Sequence, residues 1–387
     1  YKLKTSDFER INPNTKTCPV FRTSQDAMLT TQIYRQCKVL INDATRENIW
    51  HIKFARMFDM SNDSHLFYTY SQLVDKGAKL EGNKFLLNNQ FYVPLYEGKM
   101  IWHYNHHFGT INEGTKEKPA RQMAMPTSDE LKNPNHNIMP WYWIPKEDMD
   151  NRLIKTDAKG NIIWEWSHKW LIGFRDITNA THDRTFVISL IPDACGVGHS
   201  ATLLFVERGT MPGALLLGMM SSLVFDYATR QKIGGSHASI SFVKQFPVLT
   251  PEQVSSSGYE QDIVERVARL CWFNHDLDGW MEELREECPE EYDLPEEPVI
   301  WDEEQRTVWQ AELDAIFAHL YGLTTEDLRY ILDPEDVCGK GCINETFRVL
   351  KERELRELGE YRTKRLVMEA WNKFEFDNKL KMLCYEK

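Results

Sequence analysis

The chain has 387 residues, 42% of them hydrophobic and 27% charged, so it can bury a sizeable core and has the composition of an ordinary globular protein. No run of eighteen apolar residues occurs, which excludes a membrane span made of one continuous apolar stretch. The eight cysteines are scattered, which favours reduced thiols in a cytoplasm over a disulfide framework.

The net charge of −12 is unevenly distributed along the chain. Residues 1–250 hold 29 Lys and Arg against 24 Asp and Glu, a net of +5, whereas residues 251–387 hold 17 against 34, a net of −17. The first part can therefore approach a polyanion. The second part would be repelled by one, except near its basic last helix.

The amino-terminal third predicts short elements separated by loops. Asp26–Arg35 has helical spacing, and residues 38–41 form a strand-like apolar run. Helical spacing of apolar residues predicts a short buried helix over residues 95–104. Residues 112–140 are rich in Asn, Pro, Thr, Lys and Glu, which predicts a long irregular loop.

The middle of the chain predicts strands and then a buried helix. Residues 141–210 contain β-branched and aromatic runs separated by Gly, Asn, Asp and Pro. Residues 212–230 have the nearly uniform apolar composition of a largely buried helix. A glycine turn over residues 230–237 follows, and a closing strand is predicted from Ile240.

The remainder is predicted to be helical. One or two helices are expected over Tyr259–Glu287, one over Glu304–Leu320, a short one capped by Thr324 or Thr325, and a long one over Glu345–Phe374. The predicted fold class is therefore α+β. A linking segment spans residues 1–75, a β-rich α+β domain spans 76–250, and an acidic helical domain spans 251–387.

Sequence motifs of catalysis are absent. The chain has no phosphate loop, dinucleotide fingerprint, nucleophile elbow, H-E-x-x-H helix or C-x-x-C pair. It also lacks the Asn-Pro-Pro-aromatic motif with which adenine methyltransferases hold the extruded base. We therefore assign no catalytic residue and no cofactor site within this chain.

Two clusters have the residue types of metal ligands. Cys338 and Cys342 can supply two thiolates, but C-x3-C between glycines is more typical of a turn, and no second pair is evident. His103, His106 and His107, in WHYNHHF, can bind a metal or contact nucleic acid. Half-buried polar histidines on an aromatic surface are the favoured interpretation, so no metal ligand is assigned.

Two polar segments carry side chains suited to DNA. Arg and Asn can bond base edges bidentately, and Thr, Ser and His can hold phosphates. The first segment, residues 174–185, can equally be a hairpin that satisfies its own backbone. The second, residues 230–237, can equally be a glycine-capped helix end at which Arg and Lys complement the helix dipole. The candidate DNA-binding residues are Arg175, Asn179, Arg184, Arg230, Lys232, Ser236 and His237.

Several sequence blocks occur in an order that is typical of one protein family. The blocks are NPNTKTCPVFRTSQDA, PLYEGKMIWHYNHHF, WLIGFRDITNATHDRT, FDYATRQKIGGSHASISFVKQFPVL, HLYGLTTEDLRYIL and GEYRTKRLVMEAW. Together they resemble large single-chain adenine-specific DNA methyltransferases, which include type IIG restriction–modification enzymes and methyltransferases of BREX- and DISARM-like phage-defence systems. The resemblance departs at HHF after WHYN, where family members more often carry an arginine.

The resemblance implies a DNA target-recognition region. In this family the catalytic domain, with its S-adenosylmethionine site, precedes these blocks, and because the chain does not begin with Met we expect it to be part of a longer protein. The implied partners are double-stranded DNA, that catalytic domain and other defence-system proteins. No interaction with a membrane is expected. The alternative is a protein-interaction scaffold, whose acidic helical region docks a nuclease, a helicase or the catalytic subunit.

Overall fold

The structure is a computed structural model that describes residues 4–112, 122–179, 182–342 and 346–385. It combines helices with several small sheets, so the predicted α+β class is confirmed. The α-helices of the described residues are α1 Thr5–Ile11, α2 Ser24–Gln36, α3 Met60–Asp63, α4 Tyr70–Asp75, α5 Ser128–Lys132, α6 Lys146–Arg152, α7 Thr210–Ser221, α8 Leu223–Arg230, α9 Ile240–Val243, α10 Pro251–Ser255, α11 Glu260–Cys271, α12 Asp278–Glu287, α13 Glu303–Leu320, α14 Thr325–Leu332, α15 Pro334–Cys338, α16 Arg348–Leu358 and α17 Arg362–Tyr385.

Short strands and three 3-10 helices complete the described elements. The 3-10 helices are Ser64–Leu66, Gly98–Met100 and His275–Leu277. The strands are β1 Lys38–Val39, β2 Ile52–Ala55, β3 Lys79–Glu81, β4 Lys84–Leu87, β5 Gln90–Tyr96, β6 Thr110–Asn112, β7 Gln122–Ala124, β8 Tyr142–Pro145, β9 Ile154–Thr156, β10 Ile162–Glu165, β11 Trp170–Arg175, β12 Ile188–Pro192, β13 Gly196–Val197, β14 Ala201–Val206 and β15 Pro247–Val248.

A four-stranded antiparallel sheet lies at the centre of the core, with strand order β12-β11-β14-β2. Every residue of β12 and β14 is buried, which explains why these strands are largely apolar and do not alternate with polar residues; Ser189 and Thr202 are their polar members. A second sheet has the order β13-β5-β4-β3, with β8 also paired to β5. Its β13–β5 pair is parallel.

Helix α7 is apolar on all sides because it is enclosed. Ten of its twelve residues are buried. It ends at Ser221. The next residue, Ser222, has an extended backbone and caps α8, since its Oγ accepts a hydrogen bond from Phe225 N at 3.3 Å. Within the described residues no single helix has the length and apolarity to cross a membrane. α7 and α8 meet that criterion only as a pair bent by 61°.

One hydrophobic cluster extends across both predicted boundaries. Strand β2, in the predicted linking segment, pairs with β14 of the predicted recognition domain. Strand β1 pairs with β15, and Gly218 of α7 faces α11, where an added Cβ would lie 3.1 Å from Val267 Cγ2. The three predicted segments therefore share one core.

Four predicted elements were wrong. The single helix expected over residues 212–230 is divided into α7 and α8 at the extended backbone of Ser222. The helix expected over residues 95–104 is instead the end of β5 followed by a 3-10 turn, because Leu95 pairs with Tyr142 across the sheet. The strand expected from Ile240 is the single-turn helix α9, and the antiparallel partner of β1 is β15. The long last helix is divided into α16 and α17 at Gly359, which has a left-handed backbone (φ 76°).

Other predicted elements are confirmed with small shifts. Helix α2 covers the stretch expected over Asp26–Arg35, and Thr324 caps α14. The predicted loop over residues 112–140 contains the β7 strand and α5, and its residues 113–121 lie outside the described part of the chain.

Replacing Leu203 with Ala should lower the free energy of unfolding by about 2–5 kcal/mol, because the side chain is fully buried in the central strand β14. Replacing Ile163, which is 65% exposed on β10, with Ala should change the free energy of unfolding by less than about 0.5 kcal/mol. Urea unfolding followed by tryptophan fluorescence measures both. Equal losses would contradict the central position of β14.

Candidate nucleic-acid interface

The two polar segments proposed for DNA contact lie side by side, although about fifty residues separate them in sequence. Ile177 and His237 form an antiparallel bridge. Thr178 N donates to Ser236 O at 2.9 Å, and Ala238 N donates to Asp176 O at 2.7 Å. We call the exposed residues of this pairing the paired edge: Ile177, Asn179, Gly234, Gly235, Ser236 and His237.

Arg184 and Arg230 do not extend from the paired edge into solvent, since both contact the buried carboxylate of Asp226. Arg184 Nε donates to Asp226 Oδ2 at 2.6 Å, and Arg230 Nε lies 3.6 Å from Oδ1. Thr185 N also donates to both carboxylate oxygens, at 2.9 and 3.1 Å. Asp226 has no solvent exposure, so its carboxylate depends on protein donors, which also include the hydroxyl of Thr229 at 3.5 Å from Oδ1.

Arg230 also fastens the first segment to the end of α8. Its Nη2 donates to the carbonyl oxygens of His182 and Asp183, at 2.6 and 2.7 Å. The guanidinium lies 4.7 Å from the ring centre of Phe347. Burial lowers the pKa of Arg230, and Asp226 opposes that shift. The side chain therefore links residues 182–183, α8 and the residue before α16.

Lys232 is turned into the protein. Its ammonium donates to the carbonyl oxygens of Ile11 and Gln245 and lies 4.8 Å from the ring centre of Tyr34. Burial lowers the pKa of Lys232 well below its ordinary value. Its structural role is to join the turn to α1 and to the residues before β15.

Arg175, at the end of β11, holds the 3-10 turn of residues 98–100. Its Nε donates to Gly98 O at 2.8 Å, and its Nη2 donates to Ile101 O at 2.6 Å. The guanidinium lies 4.8 Å from the ring centre of Trp102. Burial lowers the pKa of Arg175 to about 10, so the group remains charged at neutral pH.

The paired edge presents the remaining three predicted residues, Asn179, Ser236 and His237, to solvent. His237 Nδ1 lies 2.9 Å from Asp176 Oδ2, and the imidazole is 59% exposed. Arg56 Nη2 lies 3.8 Å from the other oxygen of Asp176. An added Cβ at Gly234 or Gly235 would meet no atom of the described residues within 4 Å, so among these residues nothing covers the backbone of this turn.

A cavity of about 300 Å³ opens beside the paired edge. Trp102 and Arg175 contribute an aromatic ring and a cation to its wall. Ile177, which belongs to the paired edge, also lines the cavity. Among the described residues, the hydrogen-bond acceptors of the Arg175 guanidinium are carbonyl oxygens and not carboxylates. Its positive charge at this wall is therefore not neutralised by a hydrogen-bonded carboxylate.

Sequence reasoning missed Asp226. The signal was available, because Asp226 and Arg230 are spaced i,i+4 within an otherwise apolar helix. A carboxylate on such a face indicates a buried partner. The pairing of Asp226 with Arg184, by contrast, depends on the tertiary fold.

Comparisons with known proteins add no support to the resemblance, which depends on the sequence blocks alone. No protein-family model matches the chain, and a search among curated proteins finds no match.

Replacing Asp226 with Asn should lower the free energy of unfolding by about 3–5 kcal/mol, because two arginines would lose their buried carboxylate. The matched control is Asp43→Asn. Its carboxylate pairs with Lys244 at 2.9 Å on the surface and should contribute no more than about 1 kcal/mol. Chemical denaturation measures both, and similar effects at the two positions would contradict the structural role of Asp226.

The buried carboxyl group of Asp314 should make the free energy of unfolding depend on pH. Its Oδ1 accepts a hydrogen bond from Leu223 N at 2.7 Å, and burial raises its pKa to about 7. Because the folded pKa lies above the unfolded one, the native state loses stability as pH rises from about 4 to about 7. Asp314→Asn should remove that loss, so its stability relative to wild type should increase across this range. Denaturation at a series of pH values tests this, and a constant difference between the two proteins would contradict it.

Proposed function

We propose that this chain is the sequence-specific DNA recognition portion of an adenine-N6 DNA methyltransferase from a restriction or phage-defence system, acting in the cytoplasm. The observation that carries the proposal is the convergence of the two polar segments on one exposed edge. The sequence blocks that resemble the family include both of these segments. Methyl transfer and S-adenosylmethionine binding are assigned to a catalytic domain outside this chain.

The paired edge has the chemical groups that duplex DNA recognition requires. The exposed turn at Gly234 and Gly235 allows close approach of a phosphate backbone. Ser236 and His237 offer a hydroxyl and an imidazole beside it, and Asn179 carries an amide that can bond a base edge. Contacts with DNA are therefore proposed for Asn179, Ser236 and His237.

The cations that are turned into the protein support DNA binding in two ways: they hold the two polar segments in place, and they contribute a positive electrostatic potential. Arg184, Arg230 and Lys232 fix the two segments in place through their internal hydrogen bonds. Arg175 retains its charge at the wall of the neighbouring cavity, where it favours an approaching anion. Arg56, half-exposed beside Asp176, supplies a cation nearer to solvent.

A second candidate function is the docking of a protein partner by the acidic helical region. The segment between α12 and α13 exposes Glu290, Glu291, Glu296 and Glu297, and Ile300 is 73% exposed at its end. An exposed acidic strip with an apolar residue at its end suits a basic protein surface. The partner would be a nuclease, a helicase or the catalytic subunit.

Ser236→Glu should weaken binding to duplex DNA by at least about tenfold, because it places a carboxylate where a phosphate is proposed to lie. The substitution is made at an exposed turn residue, so the fold should be retained. Binding is measured by fluorescence anisotropy with a labelled duplex across a salt series. Wild-type affinity should fall as salt rises, because phosphate contacts release counterions.

The matched control is Ser71→Glu, at an exposed serine in the first turn of α4 outside the paired edge. It should bind DNA like the wild type. Equal binding by wild type and Ser236→Glu would sink the assignment of the edge. Absence of DNA binding by the wild type, together with stable capture of a purified nuclease or methyltransferase subunit, would favour the docking function.

A further inference from the structure

A cluster of histidines and a carboxylate lies apart from the residues assigned to DNA. His106 and His107 are buried in the segment between the 3-10 helix Gly98–Met100 and β6, and Asp276 lies in the 3-10 helix His275–Leu277. A ring nitrogen of each histidine and a carboxylate oxygen of Asp276 all lie within 4.8 Å of one another. His107 Nε2 is 2.9 Å from Asp276 Oδ2.

Both segments of the cluster are fixed by asparagine side chains. Asn105 Oδ1 accepts a hydrogen bond from His107 N at 2.8 Å. Asn274 Oδ1 accepts one from Asp276 N at 2.9 Å, and Asn274 Nδ2 donates to His136 O. Such local bonds hold the backbone of short turns, so the backbone at His107 and Asp276 is set before any ligand binds.

Buried polar atoms at this cluster lack partners. In the described part of the chain, His106 Nε2 and His107 Nδ1 are buried without a hydrogen bond, and so is Nε2 of the neighbouring His136. His106 is 1% exposed and His107 is fully buried. Leaving such an atom without a partner costs about 1–3 kcal/mol, so several of them in one place indicate a missing ligand.

We propose that His106, His107 and Asp276 bind one divalent transition-metal ion of the Zn²⁺ type. Two imidazole nitrogens and a carboxylate oxygen form a donor set that suits this class of ion. Tetrahedral coordination with bonds of about 2.0–2.1 Å places ligand atoms about 3.3 Å apart. Pairs of the cluster that are wider than this, up to 4.8 Å, would close on the ion, and the 2.9 Å pair of His107 and Asp276 would open.

Three protein ligands leave a coordination position for water or a small ligand. Asp276 also lines a cavity of about 310 Å³, which provides the space for it. Tyr96 lines the same cavity, and its buried hydroxyl has no hydrogen-bond partner among the described residues. The ion would also join residues 106–107 to the acidic helical region, because Asp276 belongs to the latter.

The test is zinc binding by the purified chain after treatment with a chelator. Calorimetric titration with Zn²⁺ should find one site per chain, and zinc should raise the melting temperature. Asp276→Asn should weaken zinc affinity by at least about tenfold and remove that rise. The matched control, Asp278→Asn, changes the neighbouring carboxylate that accepts from Trp272 and His275 and should bind zinc like the wild type.

Cys338 and Cys342 are the competing thiolate ligands, so the titration is made in a Cys338→Ser/Cys342→Ser background. X-ray absorption at the zinc edge on the unsubstituted chain gives a readout that does not depend on how any variant folds. It should show nitrogen and oxygen ligands with imidazole scattering. Absence of zinc binding, unchanged affinity in Asp276→Asn, or sulfur coordination of a single bound ion would overturn the proposal.

Discussion

The buried carboxylate of Asp226 determines the conformation of the region proposed to meet DNA. It has no exposure to solvent and is balanced by Arg184, Arg230 and the backbone N–H of Thr185. An unpaired buried carboxylate is strongly unfavourable, so the two arginines cannot leave it without a large loss of stability. Because Arg230 also holds the carbonyl oxygens of His182 and Asp183, this one charge ties the first polar segment to the end of α8.

Because of this constraint, the basic residues that the sequence marks as candidates for DNA contact serve to hold the protein together. Arg184, Arg230 and Lys232 bind groups of the protein itself, and the side chains left at the paired edge are small or polar apart from Ile177. The exposed hydrogen-bonding groups of the paired edge therefore lie on segments that cations hold in place through internal hydrogen bonds. In the DNA-recognition account, affinity comes from that edge and from the field of Arg175 and Arg56, and not from a row of exposed lysines.

Much of the fold was predictable because local pattern and tertiary packing agree. The apolar runs of β11, β12 and β14 and the uniformly apolar α7 have the composition of enclosed elements, and they are enclosed. Residues 95–104 and the stretch from Ile240 were mispredicted because strand pairing with β8 and the short turn of α9 overrode side-chain spacing. For the site, residue types indicated both polar segments, whereas the histidines were noted but assigned no metal, since the approach of Asp276 to His107 depends on the tertiary fold. Which cations are buried depends on Asp226 and on carbonyl oxygens of distant segments, such as Ile11 O, which spacing cannot reveal.

Hydrogen–deuterium exchange with and without duplex DNA tests the central claim most directly, because it locates the contact without changing the protein. The account predicts slower exchange at the paired edge, around Ile177–Asn179 and Gly234–His237, and unchanged exchange in the acidic segment between α12 and α13. Protection confined to other surfaces, or no protection at DNA concentrations that saturate binding, would contradict it.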